Sequence, residues 1–130
     1  MDSKKCKIMI MDDDEFLLKM YAAKFKAAGL EVEAVTSVNA VLEKLRGGYH
    51  PDLILLDIVM PGMDGIGLLE VIRRERLAAG AAVMMLTNQN QEADVERAKR
   101  LGVDGFLVKA ESVPSDVVAE VLSVLKKRKA

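Results

Sequence analysis

Aromatic residues are scarce in this chain: three Phe, two Tyr and no Trp make up 4% of its 130 residues. A core drawn from such a composition has to be aliphatic, filled by Val, Leu, Ile, Met and Ala. The single cysteine, Cys6, excludes an internal disulfide and fits a reducing cytoplasm. With one histidine, His50, beside that one thiol, a zinc site lacks its usual ligands. No apolar run approaches the roughly 20 residues needed to span a bilayer, and Met1-Asp2-Ser3-Lys4-Lys5 is not followed by a signal-peptide core. Neither charge sign dominates. Nineteen Lys and Arg against 20 Asp and Glu give a formal net charge of -1, with no electrostatic reason to expect nucleic acid or membrane as a partner. Repeats, linkers and low-complexity tracts are missing as well. A hydrophobic content of 51% excludes disorder, and the length fits one domain with a sheet covered on both faces.

What is present is a regular alternation of strand-like and helix-like stretches. Lys7 to Met11 reads as a first strand. Glu15 to Ala28 follows, with Phe16, Leu17, Met20, Tyr21, Ala23 and Phe25 at helical spacing and a stop at Gly29. Glu31 to Val35 alternates polar and apolar residues, as an edge strand does. Ser37 caps a helix to Leu45, closed by Gly47-Gly48. Leu53 to Leu56 is a third strand, apolar throughout and therefore covered on both faces. Gly67 to Arg76 is the next helix, with a boundary left open along Leu77 to Ala81. Ala82 to Leu86 is strand, Gln91 to Leu101 helix up to Gly102, and Gly105 to Val108 strand. Ser115 to Arg128 closes the series, with Val117, Val118, Val121, Leu122 and Leu125 on one face. Five strands alternating with five helices predict an α/β fold, a doubly wound parallel sheet with right-handed crossovers. The expectation is a single domain over 1–130, with its core from about 7 to 127.

Ligands of such sheets sit beyond the carboxyl ends of the strands. The residues found there are Asp12 and Asp13, Asp57, Thr87 and Lys109. Three carboxylates within about 5 Å repel by roughly 3 kcal/mol per pair at an effective dielectric near 20. Either one acid takes a proton or a divalent cation neutralises the group. All-oxygen ligation by few side chains suits Mg²⁺. An acidic metal site facing an ammonium and a hydroxyl suits phosphoryl transfer, with a central carboxylate as nucleophile. The plainer alternative is that acids after strands cap the following helices, which applies to Asp14 and in part to Asp12.

Asp12-Asp13 after an apolar strand, the run Leu55-Leu56-Asp57-Ile58-Val59-Met60-Pro61-Gly62-Met63-Asp64-Gly65, Met85-Leu86-Thr87 and Phe106-Leu107-Val108-Lys109 resemble a response-regulator receiver domain of the chemotaxis-regulator type, from about Lys7 to Lys127. The resemblance implies a flavodoxin-like strand order 2-1-3-4-5. It implies that Asp57 accepts a phosphoryl group from a sensor histidine kinase or phosphotransfer protein. Asp13 and Asp57 would bind Mg²⁺, with Asp12 acting through water and the Val59 carbonyl as a further ligand. Thr87 and Lys109 would contact the phosphoryl oxygens, and Phe106 would stand at the aromatic switch position, though a Phe on the fifth strand also reads as core. An unknown output protein would dock on the face made by the Gln91 to Leu101 helix, the fifth strand and the last helix.

Two departures stand out. Ala110 follows Lys109 where the family has Pro, so a trans Lys109–Ala110 bond is expected on the cost of a non-proline cis bond. Val59 and Gln89 occupy positions that in the family tune attack by water, so an apolar Val59 predicts slow self-dephosphorylation. Met9, Met11, Met20, Met60, Met63, Met84 and Met85 read as packing and loop residues, and Lys126 to Lys129 as complement to a helix dipole. The leading function is a stand-alone, phosphorylation-driven binding module that makes no metabolic product. A receiver excised from a hybrid kinase or multidomain regulator is the alternative. A small-molecule phosphatase with an aspartyl intermediate would need a carboxylate two residues after Asp57, where Val59 stands.

Overall fold

The computed structural model describes residues 6–58, 65–87, 92–108 and 114–129. Strands β1 (Lys7–Met11), β2 (Glu31–Val35), β3 (Leu53–Asp57), β4 (Ala82–Thr87) and β5 (Gly105–Val108) alternate with helices α1 (Glu15–Ala27), α2 (Val38–Arg46), α3 (Gly65–Arg74), α4 (Glu92–Arg100) and α5 (Pro114–Lys129). All strand pairs are parallel, as the alternation predicts, and the order is β2-β1-β3-β4-β5, as the resemblance implies. The polar–apolar alternation of Glu31 to Val35 does mark an edge.

Alternation along the strands divides the core in two. Leu53 and Leu55 join Ile8, Ile10, Met84 and Leu86 beneath α1 and α5. Ile54 and Leu56 join Met9, Met11, Val83 and Met85 beneath α2, α3 and α4. Leu53 to Leu56 are all fully buried, because β3 lies at the centre with helices on both sides. The filling is largely aliphatic, yet Tyr21 and Phe25 of α1 are among the largest fully buried side chains.

Local chemistry sets the helix ends. Asp14 and Ser37 are N-caps: Leu17 N–H donates to Asp14 Oδ1 at 3.0 Å and Ala40 N–H to Ser37 Oγ at 3.1 Å. Gly29 and Gly102 stop α1 and α4 with φ of 91° and 79°. Three expectations need correction. Helix α3 begins at Gly65 and ends at Arg74, because Arg76 and Ala78 take positive φ of 57° and 50°, which no α-helix accommodates. Phe16 and Met20 share the helical spacing of α1 but face outward, Phe16 with 75% of its surface exposed, while Leu18 turns inward instead. Leu122 likewise stands out from the buried face of α5.

Long-range polar contacts hold the helices in place. Arg73 of α3 donates from Nε to Leu101 O at 3.0 Å and from Nη2 to Gly102 O at 3.1 Å, answering carbonyls at the end of α4. Arg46 of α2 meets Glu75 through two bonds, 2.9 Å from Nε and 2.6 Å from Nη2. Among the described residues no helix is long and apolar enough to cross a membrane.

Candidate functional site

The described residues that are polar or charged and yet buried are Asp12, Asp57 and Thr87. Removing a carboxylate or hydroxyl from water is costly unless something answers it, and all three stand at the carboxyl end of the sheet.

The first acid comes from the exit of β1. Asp12 N–H still follows the edge strand, donating to Val35 O at 3.2 Å. Its Oδ1 then accepts Asp14 N–H at 2.9 Å, and Asp14 in turn caps α1. The capping role considered for these acids therefore holds for Asp14, while Asp12 Oδ1 fixes the turn by accepting the N–H of that cap. Asp13 sits between them and is exposed.

Asp57 is the last residue of β3 rather than the first of a loop. Its register partner is Leu86, and Ile58 N–H continues the pairing to Leu86 O at 2.9 Å. On the other side Leu56 pairs with Met11, so Asp12 follows level with Asp57. Carboxylate oxygens of Asp12, Asp13 and Asp57 lie within 4.8 Å of one another. At that spacing each like-charged pair repels by roughly 3 kcal/mol at an effective dielectric near 20. The donor set is all hard oxygen, with two residues buried and one open to solvent, which fits a divalent cation that keeps part of its water shell. His50 is exposed at the opposite end of the sheet and Cys6 precedes β1; neither joins the group.

Thr87 ends β4 one position beyond Leu86, the residue that faces Asp57 on the neighbouring strand. Phe106 pairs with Met85, two residues before Thr87, so its side chain leaves the sheet on the same face as Thr87's. It is partly buried against the cluster containing Met85 and Ala98 of α4. Val108 pairs with Thr87, which carries β5 to the same level. Lys109, Val59, Gln89 and the Lys109–Ala110 peptide bond lie outside the described residues.

One participant escaped the sequence reading. Gly65 N–H donates to Ile58 O at 2.8 Å, and a Cβ at this position would run into the main chain of Asp57. In sequence it looks like the second half of an Asp-Gly turn. Its signal is the spacing of a glycine at the start of a helix that follows the central strand.

Comparison with known proteins agrees with this geometry. The sequence pattern of the response regulator receiver domain matches residues 8–121. The chain is 30% identical over 127 residues to the DNA-binding response regulator MtrA of Mycobacterium tuberculosis, covering 98% of this chain and 54% of that protein. It is 34% identical over 122 residues to the chemotaxis protein CheY of Halobacterium salinarum, covering 89% of this chain and 96% of the relative. The chain thus spans about half the length of the MtrA relatives it matches. Among solved structures, a CheY-like receiver domain protein from Methanospirillum hungatei superposes with a TM-score of 0.87 at 25% identity, over 97% of this chain and 98% of that one.

Proposed function

The chain belongs to the response regulator receiver domain family, and on that premise we propose that Asp57 is its phosphoacceptor, served by Mg²⁺ on Asp12, Asp13 and Asp57. Receiver domains of two-component regulators take a phosphoryl group from a histidine kinase. The observation that carries the residue assignment is the convergence of three carboxylates within 4.8 Å around the end of the central strand. Of the three, Asp57 is the one that ends the central strand, paired with Leu86 of β4 and preceded by Leu56, which pairs with Met11 of β1, whereas Asp12 spends one oxygen on the turn into α1 and Asp13 is exposed. A nucleophile benefits from that placement, because transfer needs its oxygen in line with the leaving group.

In the transfer an Asp57 carboxylate oxygen attacks phosphorus. The new O–P bond forms as the P–N bond of the donor phosphohistidine breaks, and the imidazole nitrogen keeps the bonding pair. The product is an acyl phosphate on Asp57. Mg²⁺, when bound, offsets the charge of the carboxylates and of the phosphoryl oxygens. Thr87 donates a hydrogen bond from its hydroxyl to one phosphoryl oxygen and Lys109 supplies an ammonium to another. No other substrate is turned over.

The signal leaves through Thr87 and Phe106, which share a sheet face, with Phe106 packed against the cluster that holds Ala98 of α4. Phosphorylation shifts a two-state packing there, and the face of α4, β5 and α5 meets an output protein. We place the chain in the cytoplasm, beside the kinase that feeds it. Whether it works alone or within a longer regulator is read from the full-length reading frame.

Intact mass after incubation with acetyl phosphate and Mg²⁺ tests the assignment. One added phosphoryl group is expected, and none in Asp57→Asn. Undiminished labelling of that variant sinks the proposal.

A further inference from the structure

We propose that Gly65 is a positioning residue for Asp57: its missing Cβ lets α3 seat on the main chain of the acceptor, and that seat sets the carboxylate against Asp12 and Asp13. The inference rests on Asp57 being the acceptor. A Cβ built on Gly65 would overlap the Asp57 carbonyl oxygen, and would lie 3.0 Å from the carbonyl carbon and 3.1 Å from Ile58 Cα. All three neighbours are backbone, so no side-chain rotation relieves the clash. Gly105 shows the contrast, since its tightest neighbour is the flexible end of Met84 at 3.2 Å. Torsion is not the reason for glycine at 65, because it is absent from the positive-φ glycines 29, 48, 80 and 102. Space is.

An added methyl presses on the Asp57–Ile58 peptide at the exit of its strand, one residue past the end of the ladder to β1. That strand is bonded to β1 on one side and β4 on the other, and Ile58 N–H is committed to Leu86 O at 2.9 Å. Gly65 N–H closes the arrangement on Ile58 O at 2.8 Å. The displacement therefore falls on the Asp57–Ile58 peptide, from which the nucleophilic carboxylate hangs. A misplacement of about 1 Å near reacting atoms can lower a rate on the order of 100-fold. Helix α3 thus acts as a stop that defines how far Asp57 projects beyond the sheet.

The test compares full-length wild type, Gly65→Ala, Gly48→Ala and Asp57→Asn. Gly48 has φ of 102° and open space around a built Cβ, so its substitution strains the fold far from the site. Initial rates of phosphorylation by acetyl phosphate and Mg²⁺ affinity are measured at a temperature where melting shows each variant folded. Gly65→Ala is expected to lose at least tenfold in rate and to bind Mg²⁺ more weakly, while Gly48→Ala keeps both. A merely structural Gly65 would lower only the melting temperature, and equal rates overturn the inference. Should Gly65→Ala not fold, amide exchange in the wild type decides. Mg²⁺ with beryllofluoride should slow the Gly65 and Ile58 amides relative to Gly29, and unchanged exchange counts against the inference. A wild type that takes no phosphoryl group would instead defeat the assignment of Asp57, so the two failures are distinct.

Discussion

The two ends of the sheet use the same residue type in opposite ways. At the amino end two aspartates each take a backbone donor: Asp52 Oδ2 accepts Lys7 N–H at 2.7 Å, and Asp104 Oδ2 accepts Val83 N–H at 2.8 Å. Nearby, Glu33 pairs with Lys44 at 3.0 Å and Glu75 with Arg46 at 2.6 Å. These carboxylates are dispersed, and each stabilises a strand start or a helix contact. At the carboxyl end Asp12, Asp13 and Asp57 are gathered within 4.8 Å. A fold that places acids singly where they stabilise and together where they repel has gathered the repulsion at the site proposed to handle a cation and a phosphoryl group.

That contrast can be broken by charge removal. The largest effect is expected from Asp57→Asn, which abolishes phosphoryl uptake yet stabilises the metal-free protein, by on the order of 3 kcal/mol from relieved repulsion. Urea unfolding without Mg²⁺ checks it, and a destabilised variant would show that the acids do not oppose one another. At the other end Asp104→Ala should destabilise by about 1–3 kcal/mol, since Val83 N–H at the head of the buried β4 loses its acceptor. No effect there would erase the distinction between the two ends.

Titration sharpens the comparison further. Burial, reinforced by Glu33, Glu31 and Asp52, pushes the Tyr49 hydroxyl up to about 12. The folded state then holds this proton more tightly than the unfolded one. The resulting stability is full below the ordinary tyrosine pKa near 10 and is lost as pH rises toward about 12. Tyr49→Phe should flatten that alkaline fall in a melting series. The smallest effect belongs to Glu75. The Arg46 guanidinium bonded to it holds its carboxyl below the usual range, so its contribution is present above the ordinary carboxylate pKa and fades as pH falls through the lowered one. Wild type and Glu75→Gln should converge in acid.

The sequence made the fold and most of the site readable because both depend on short-range signals. Apolar strands ending in Asp12 and Asp57, caps at Asp14 and Ser37, and stops at Gly29 and Gly102 are written within a few residues. Parallel register then brings the acids together without further instruction. What stayed hidden depends on residues distant in sequence. Arg73 on the carbonyls of Leu101 and Gly102, Asp104 on Val83, and Gly65 on Asp57 are meetings that only the packed helices decide. Helical spacing grouped Phe16 and Met20 with Tyr21 and Phe25, but spacing alone does not say which of two adjoining apolar stripes turns inward, and Leu18, Tyr21 and Phe25 took the interior.

The most direct measurement is urea unfolding of wild type and Asp13→Asn across a Mg²⁺ titration. Asp13 is exposed, so its substitution alters charge with little packing change. Mg²⁺ should raise the wild-type midpoint as a ligand of the native state does. Asp13→Asn should raise the midpoint without metal and respond less to it, because ion and substitution relieve the same repulsion. An Asp13→Asn protein that is less stable than wild type, with Mg²⁺ leaving both unchanged, would contradict the claim that the three carboxylates form one cation-binding site.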